Sequence, residues 1–261
     1  MTVSFTQSEI DAYRRDGYVI ARGLLGPADV AALLAETDAM WQRAGDGSKG
    51  QHTSFFGVKK MTTLRDPQLH SGLYSRYLTD PRLVGRMAQL VGPNVQLHHS
   101  KINVKTRDDQ AVFPLHQDHP YFPHAQHSVC TVLVHLTTTT SDRGCFRAIP
   151  GVTEPLAHVA DDGHILDPKK YPLESAVELP AEAGDVVFMN YLTPHGSNLN
   201  TSDIPRVLWI LQVRAAEDRP VEQPAGTEQA TPPGNRPAQG TMLAGVNPDF
   251  TWAAGGSSSR L

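Results

Sequence analysis

The chain has 261 residues, 39% of them hydrophobic, and a formal net charge of −4, which is enough apolar material for one sizeable core or two small ones. It shows no apolar run near the ~20 residues that span a bilayer, no basic stripe for nucleic acid, and no signal-peptide pattern at its start. The two cysteines, Cys130 and Cys145, form no CxxC pair, so we expect a cytoplasmic protein with reduced thiols that binds neither nucleic acid nor membranes.

The N-terminal third is predicted to be mostly helical. Thr6 and Glu9 have the spacing of a capping box, which opens a helix that Gly17 ends. The stretch "YVIARGLL" predicts a short strand, and Pro27 occupies the first position of a second helix with apolar residues at helical spacing. The stretch "DPQLHSGLYSRYLTDPRLVGRMAQLVG" predicts one or two further helices that end at Gly92.

From Val95 onwards the pattern changes to short β-branched and aromatic runs, separated by Gly, Pro, Asn and Asp. Many short strands within ~120 residues predict a barrel or a double-sheet jelly roll with helices packed outside one sheet. The clearest runs are "VQLHHSKINVK", "SVCTVLVHLT", "AVELP", "DVVFMNY" and "RVLWILQVR".

These patterns predict one domain over residues 1–218, with a helical part at 1–92 and a β core at 93–218. Beyond it the sequence is rich in Pro, Gly and Gln, which predicts an irregular C-terminal arm over 219–261. Within the arm, "MLAGVNPDFTW" is apolar enough to dock back onto the body of the protein. The sequence leaves the oligomeric state open.

Two residues of the stretch "FPLHQDHPYFPH" are candidate metal ligands. His116 and Asp118 are two apart in a strand-like context, and a period of two places both side chains on one face. His195, where a strong predicted strand runs into a turn, is the best candidate for a third ligand. Two histidines and one carboxylate form the facial ligand set of non-haem Fe(II) oxygenases, whereas structural zinc takes four protein ligands. Alternatively, His116 and Asp118 form a hydrogen-bonded surface pair, since a chain with twelve histidines shows this spacing by chance.

A candidate anion site lies downstream of the third ligand. Arg206 lies eleven residues after His195 and nine residues after Ser197. The turn-forming sequence "NLNTSD" between them allows the histidine and the arginine to occupy neighbouring strands that face one interior. An arginine fork suits bidentate capture of a carboxylate, and Ser197 can add a hydrogen bond. Oxygenases with this ligand set commonly use 2-oxoglutarate, whose far carboxylate needs a buried cation. Alternatively, Arg206 pairs with Asp203 or Glu217 at the surface.

Together, "LHQDHPYFPH", "RGCFRAIPG", "GDVVFMNYLTPHGSNLNTSDIPR" and "YRRDGYVIARGLL" resemble the phytanoyl-CoA hydroxylase family. This is a branch of the Fe(II)/2-oxoglutarate oxygenases that also contains ectoine hydroxylase, and the resemblance covers most of Phe5 to Arg214. It implies a double-stranded β-helix, which is a cupin-like jelly roll, with O2 as the oxidant and ascorbate as the reductant in vitro. It also implies Fe(II) held by His116, Asp118 and His195, with 2-oxoglutarate held by Arg206 and Ser197.

The same resemblance implies two further contacts to 2-oxoglutarate, from Asn103 and from Phe113 as an aromatic wall. It matches Lys59 or Lys60 only loosely to a co-substrate lysine of some members. Three features depart from the family pattern. "IPGVTEP" lacks the usual Ser/Thr-His-Lys, "SVCTVLVHL" has no tryptophan, and the sequence after Arg214 matches no family feature. The substrate therefore does not carry over from the family.

Three residues are candidates for contact with the substrate. Strand alternation places His99 and Lys101 on one face together with Asn103. If that face is interior, the lysine requires an anionic partner such as substrate; if it is exterior, the lysine is solvated. Tyr121 is a candidate because it lies close to the ligand pair in sequence.

The resulting hypothesis is a dioxygenase that hydroxylates or otherwise oxidises a C–H bond of a small organic metabolite. Desaturation, ring closure and epimerisation are open outcomes, and the composition hints at natural-product tailoring. Two rival interpretations exist. A cupin-like isomerase or lyase would bind metal without 2-oxoglutarate. A degenerate member acting as a binding module is disfavoured because every residue of the core motif is intact.

Overall fold

The computed structural model describes residues 4–43, 51–53, 61–159, 165–221 and 240–248. Four α-helices lie in the first part of the chain, as the sequence predicts. They are α1 (Gln7–Asp16), α2 (Pro27–Arg43), α3 (Gly72–Leu78) and α4 (Pro81–Val91).

Thirteen strands make up the sheets of the described residues. They are β1 (Tyr18–Ala21), β2 (Gln51–Thr53), β3 (Met61–Arg65), β4 (Val95–Lys105), β5 (Phe113–His116), β6 (Cys130–His135), β7 (Phe146–Ala148), β8 (His158–Val159), β9 (Ile165–Leu166), β10 (Val177–Leu179), β11 (Val186–Asn190), β12 (His195–Ser197) and β13 (Arg206–Ala215). A seven-stranded sheet has the order β1-β11-β6-β13-β4-β3-β2, a four-stranded sheet the order β10-β7-β12-β5, and β8 pairs with β9. All strand pairs are antiparallel.

Local sequence signals determine the helix ends. The Thr6 side chain and the Glu9 side chain each accept from the other residue's backbone N–H, so the predicted capping box is confirmed. Gly17 ends α1 in the left-handed conformation, with φ of 84°. Pro27 begins α2, and the Asp80 side chain caps α4.

The large sheet divides its side chains between two cores. On one face, alternate residues such as Val132 and Trp209 pack with the helices. On the other face, Leu133 and Leu208 pack against Ala148 of the four-stranded sheet. The two sheets therefore face each other across an apolar layer, and any side chain on the inner face of β13 points between them.

One strand of the structure was not predicted, and one predicted contact of the C-terminal arm can be checked. Strand β3, which pairs with β4, is absent from the prediction. The predicted docking of "MLAGVNPDFTW" is confirmed for its described part, because Val95 N–H donates to Ala244 O at 3.1 Å and Leu243 N–H to Val95 O at 2.8 Å. Phe250 and the rest of that stretch lie outside the described residues. None of the described helices combines the length and apolar character that crossing a bilayer requires.

A partly buried ion pair joins the helices, and from it we predict that the stability of the protein is sensitive to acid. Asp29 of α2 pairs with Arg82 of α4 at 2.8 Å and accepts a hydrogen bond from Tyr77 of α3 at 2.5 Å. The Arg82 hydrogen bond, with smaller help from Tyr77, lowers the pKa of Asp29 from 3.8 to about 2. Since the folded pKa lies below the unfolded one, the stabilisation is present above about pH 4 and is lost as the pH falls to about 2.

We expect Asp29→Asn to lower the free energy of unfolding by ~1–2 kcal/mol at pH 7. Urea denaturation between pH 7 and pH 2 measures it, and the difference from the parent protein should disappear at the acid end. Asp11→Asn is the control, because Asp11 is 58% exposed and only 3.8 Å from Arg14. A loss of stability that is the same at pH 7 and pH 2 would contradict the assignment to this carboxylate.

Candidate metal and co-substrate site

Two histidines meet where the strands of the small sheet pair. His116 ends β5 and lies directly opposite His195 of β12, with ring centroids 4.4 Å apart. The Nδ1 atom of His116 lies 2.8 Å from Pro114 O, and that of His195 lies 2.9 Å from Thr193 O. A carbonyl only accepts, so each Nδ1 carries the proton and each Nε2 keeps its lone pair. Both rings are therefore held in the tautomer that binds metal through Nε2.

Asp118 completes the group, but not by strand alternation. Strand β5 ends at His116, and Asp118 lies in the following turn with φ of −72° and ψ of −20°. Its N–H donates to Tyr191 O at 3.0 Å. The interpretation that both residues share one face of a strand is therefore wrong, although the turn brings them together. The Oδ1 atom of Asp118 is 4.0 Å from Nε2 of His116 and 4.0 Å from Nε2 of His195.

These three ligand atoms lie within 4.8 Å of one another, close enough for one ion to bridge them with side-chain adjustment. No other such group of three His, Cys, Asp or Glu residues exists in the part of the chain that the structure describes. The surface-pair alternative for His116 and Asp118 is also excluded, because both are largely buried with side chains 10% and 15% exposed.

Two buried side chains orient the carboxylate. Thr131 Oγ1 donates to Asp118 Oδ2 at 3.0 Å, and Gln212 Nε2 donates to the same oxygen at 2.7 Å. They lie opposite each other on β6 and β13. The donors occupy Oδ2 and leave Oδ1 facing the two imidazoles. Neither residue was predicted from the sequence, although strand alternation places Gln212 on the same face of β13 as Arg206.

The charge states suit a divalent cation. Burial, and next the neighbouring His195, lower the pKa of His116 to about 3, so this ring is neutral at pH 7. Burial alone would raise the pKa of Asp118, but the two imidazoles, Lys101 and the Thr131 hydrogen bond together bring it below its usual value. An ionised carboxylate and unprotonated Nε2 atoms are the form that metal binding requires, and a set of two histidines and a carboxylate fits Fe(II).

Arg206 lies inside the protein and lines the same cavity as the three candidate ligands. It is 2% exposed, its Nη1 donates to Gly144 O, and its guanidinium carbon lies 5.1 Å from the centre of the Phe146 ring. Burial lowers its pKa to about 10, which leaves it charged at pH 7. Among the described residues no carboxylate pairs with it, and its Nε has no partner. A buried cation without a counter-ion is suited to an anionic ligand.

The alternative in which Arg206 forms a surface ion pair is wrong. Asp203 pairs instead with Arg107 at 2.8 Å, and Glu217 accepts from Asn94. Because Arg206 begins β13 on the face that points between the sheets, its side chain enters the core.

Several other predicted residues also line the cavity. Ser197, Asn103 and Phe113 do so, and Asn103 Oδ1 accepts from Thr63 Oγ1 at 3.1 Å. Lys105, which sequence analysis missed, is fully buried and donates to Ser197 Oγ and to Asn198 O, each at 2.7 Å. Burial, and next Arg206, lower its pKa to about 5. Extending the alternation from Asn103 by two residues would have found it.

The substrate candidates divide into two groups. Lys101 lines the cavity, so its face of β4 is interior. His99 is buried with its Nδ1 2.8 Å from that of His98, and neither it nor Tyr121 is among the described residues that line the cavity. Lys59 and Lys60 lie outside the described residues. The ligand and substrate roles of all these residues remain predictions.

The carbonyl that holds Arg206 belongs to a glycine that tolerates no side chain. Gly144 has φ of +62°, and a Cβ there would lie 2.5 Å from Asn198 O and 2.8 Å from Leu199 O. We expect Gly144→Ala to displace the backbone, lower thermal stability and weaken 2-oxoglutarate binding by ~10-fold or more, since a 1 Å misplacement can have effects of this size. Calorimetric titration with 2-oxoglutarate measures the effect.

The control is Gly23→Ala, since Gly23 has a similar φ of +56° but nothing within 4 Å of the added carbon. It should show only the backbone strain of ~1–2 kcal/mol and bind 2-oxoglutarate as the parent does. Equal affinities in both variants would contradict a role for the Gly144 carbonyl.

The chain is similar to a known family of proteins. A model of the phytanoyl-CoA dioxygenase (PhyH) family matches residues 13–208. The ectoine dioxygenase of Bordetella bronchiseptica is 25% identical over 227 residues, covering 78% of this chain and 73% of that protein. Human peroxisomal phytanoyl-CoA dioxygenase is 25% identical over 224 residues, covering 72% of this chain and 62% of that protein.

Solved structures agree with this match. The non-haem alpha-ketoglutarate-dependent epimerase SnoN from nogalamycin biosynthesis has a TM-score of 0.71 and 26% identity, covering 91% of this chain and 97% of SnoN. SnoN is also known in complex with Fe3+, alpha-ketoglutarate and nogalamycin RO. EctD from S. alaskensis has a TM-score of 0.71 at 22% identity, covering 94% of this chain and 85% of EctD, which shows a common fold. The predicted jelly-roll fold is confirmed.

Proposed function

The chain belongs to the phytanoyl-CoA dioxygenase (PhyH) family, and from this premise we propose that it is a non-haem Fe(II)/2-oxoglutarate-dependent dioxygenase of small organic metabolites. One observation supports this most strongly. A cluster of two histidines and a carboxylate lines the same cavity as a buried arginine that has no carboxylate partner among the described residues.

In this proposal His116, Asp118 and His195 hold Fe(II) through Nε2, Oδ1 and Nε2. The bound iron would supply activation of O2 for the oxidation of a substrate C–H bond, coupled to conversion of 2-oxoglutarate into succinate and CO2. Backbone carbonyls keep both rings in the required tautomer, and Thr131 and Gln212 keep the carboxylate turned.

Arg206 would bind the distal carboxylate of 2-oxoglutarate, since it is the buried cation at the end of β13. Ser197 and Asn103 would donate further hydrogen bonds, and Phe113 would form an apolar wall. Leu133 and Ile210 of the apolar layer between the two sheets line the same cavity, and such an apolar wall strengthens each electrostatic contact.

The identity of the substrate is a separate matter. Named relatives include dioxygenases of ectoine and of 2-aminoethylphosphonate, and SnoN belongs to nogalamycin biosynthesis. These differ too much to select one compound, but all are small molecules, and natural-product tailoring remains our proposal. Lys101 is the charged residue that we propose on the substrate side of the cavity, with His99 and Tyr121 as weaker candidates. A cytoplasmic location is also proposed, supported by two buried free cysteines.

The test is co-substrate turnover by the purified protein. With Fe(II), ascorbate and O2, addition of a correct metabolite from a library should accelerate succinate formation. Anaerobic calorimetry should show 2-oxoglutarate binding that depends on metal. Metal binding without any 2-oxoglutarate binding or turnover would favour the alternative, a cupin-like isomerase or lyase, over the dioxygenase.

A further inference from the structure

Gln117, which lies between the proposed ligands His116 and Asp118, is fully buried, and both polar atoms of its side-chain amide make hydrogen bonds. Gln117 Nε2 donates to Glu154 O at 2.8 Å and also to Leu192 O. Its Oε1 accepts from Leu156 N–H at 2.8 Å. Since carbonyls only accept and an N–H only donates, the orientation of the amide is determined. The side chain therefore joins the β5 turn to two other segments of the chain.

The backbone of the same residue is held by a histidine. Gln117 N–H donates to His158 Nε2 at 3.0 Å, and His158 Nδ1 lies 2.8 Å from Leu156 O. Because Leu156 O can only accept a hydrogen bond, the proton of the His158 ring is on Nδ1. The lone pair of Nε2 accepts the Gln117 N–H. Glu154 to His158, which we call the latch segment, thus contacts the turn at three points, although it lies 37 to 41 residues away in sequence.

These contacts matter because strand pairing of β5 does not position the backbone of Asp118. The β5 ladder ends at His116, and beyond it the backbone departs from the strand. The turn is held by the Asp118 N–H bond to Tyr191 O, by the Tyr121 N–H bond to Asp118 O at 3.1 Å, and by the four hydrogen bonds of Gln117. A metal site requires its ligands within about 0.5 Å of the productive geometry. Release of Gln117 would remove the hydrogen bonds that tie this turn to residues 154–158 and to Leu192 O.

We propose that Gln117 and His158 are positioning residues for the metal site, and that they couple metal binding to the order of the latch segment. The proposal rests on the function proposed above only in requiring that the site bind a divalent metal. By linkage the coupling acts in both directions: an ordered latch segment favours metal binding, and bound metal favours an ordered latch segment.

The first experiment measures Co(II) affinity on the full chain, anaerobically and without substrate, from the visible absorption of the complex and by calorimetry. Gln117→Met preserves shape and removes the side-chain hydrogen bonds, and we expect a ~10- to 100-fold loss of affinity, as for other partners behind metal ligands. His158→Phe should also lose affinity. His158→Gln, which offers an acceptor oxygen, should recover most of it.

The matched control is Gln89→Met. Gln89 also makes a two-sided bridge, accepting from Phe5 N–H and donating to Phe5 O at 3.0 Å, but it joins α4 to the N-terminal segment. We expect this variant to lose thermal stability and to bind Co(II) as the parent does. A purely structural role for Gln117 predicts instead that both glutamine variants retain metal affinity.

The second experiment follows amide hydrogen exchange of the latch segment with and without Co(II). In the parent, metal should slow exchange at 154–158, and in Gln117→Met this protection should be lost. Parent-like Co(II) affinity in both Gln117→Met and His158→Phe, or no metal-dependent protection in the parent, would overturn the proposal. If Gln117→Met does not fold, the Co(II) affinities of His158→Phe and His158→Gln decide whether the proposal stands. Failure of the parent to bind Co(II) at all would instead remove the proposed function.

Discussion

Asp118→Asn is expected to abolish substrate-dependent 2-oxoglutarate turnover and to weaken Fe(II) or Co(II) binding by at least ~100-fold, which is the upper end of the effect of removing a partner behind the ligands. Asp118 supplies the negative charge among the three candidate ligands, and its Oδ1 lies 4.0 Å from both imidazole nitrogens. The amide of asparagine can still accept from Thr131 and Gln212, so the packing is kept and the ligand charge is lost. Metal titration and succinate release measure the two effects.

Asp118→Ala should have the same effect on activity and a larger effect on stability. Without the carboxylate the buried Thr131 hydroxyl loses its acceptor, at a cost of ~1–3 kcal/mol, and the Gln212 amide keeps only its hydrogen bond to Thr131 Oγ1 at 3.1 Å. Asp185→Asn is the control, because Asp185 is another buried carboxylate that accepts from Gly23 N–H and pairs with Arg22. It should lose stability and keep metal affinity. Parent-like metal binding in Asp118→Asn would remove this residue from the ligand set.

Arg206→Met is expected to raise the Kd for 2-oxoglutarate by at least ~100-fold, since loss of one partner of a buried charge pair costs ~2–5 kcal/mol. Metal affinity should be unchanged, because Arg206 lines the same cavity as the three candidate ligands but forms no hydrogen bond or ion pair with them. The protein without co-substrate should be as stable as the parent or more so. The reason is that Arg206 is 2% exposed, and an apolar side chain removes the desolvation cost of an uncompensated buried cation.

Two further variants complete this test. Arg206→Lys keeps a charge without the planar fork and should bind 2-oxoglutarate with intermediate affinity. Arg107→Met removes an arginine whose side chain is 53% exposed and pairs with Asp203, and it should leave co-substrate binding unchanged. The affinity of the parent should also fall as the pH rises towards 10, where burial has placed the pKa of Arg206 and the cation is lost. An unchanged Kd in Arg206→Met would exclude it as the anchor of 2-oxoglutarate.

The elements that the sequence predicted well are those with local physical causes. The capping box of Thr6 and Glu9, the glycine stop at Gly17 and the proline start at Pro27 all depend on neighbours within one helical turn. The long runs of β4 and β13 were recognisable because they contain apolar and β-branched residues, such as Ile102 and Val104 in β4 and Val207 to Leu211 in β13, with no Gly or Pro to interrupt them. Strand β3 lacked such a run and was missed, since its place in the sheet depends on pairing with β4.

The ligand set itself was accessible to sequence reasoning, because the chemistry of a facial triad restricts the residue types and a distant arginine restricts the co-substrate. The way in which these residues come together could not be predicted from the sequence. Register places His116 opposite His195, and a turn rather than strand alternation delivers Asp118. The hydrogen bonds that hold this turn include those of Asp118 N–H to Tyr191 O and of the Gln117 side chain, whose partners are far away in sequence.

By itself, the sequence determined both ends of α1, the start of α2, the change to a β core after Val95 and the residue types able to bind a metal and a dicarboxylate. Tertiary structure alone decided that Lys105 is buried beside Ser197, that Gln212 orients the carboxylate and that Arg206 has no carboxylate partner among the described residues. The reason is physical: caps and periodicity act over a few neighbouring residues. Burial, register and the loss of solvent around a charge exist only once distant strands have paired.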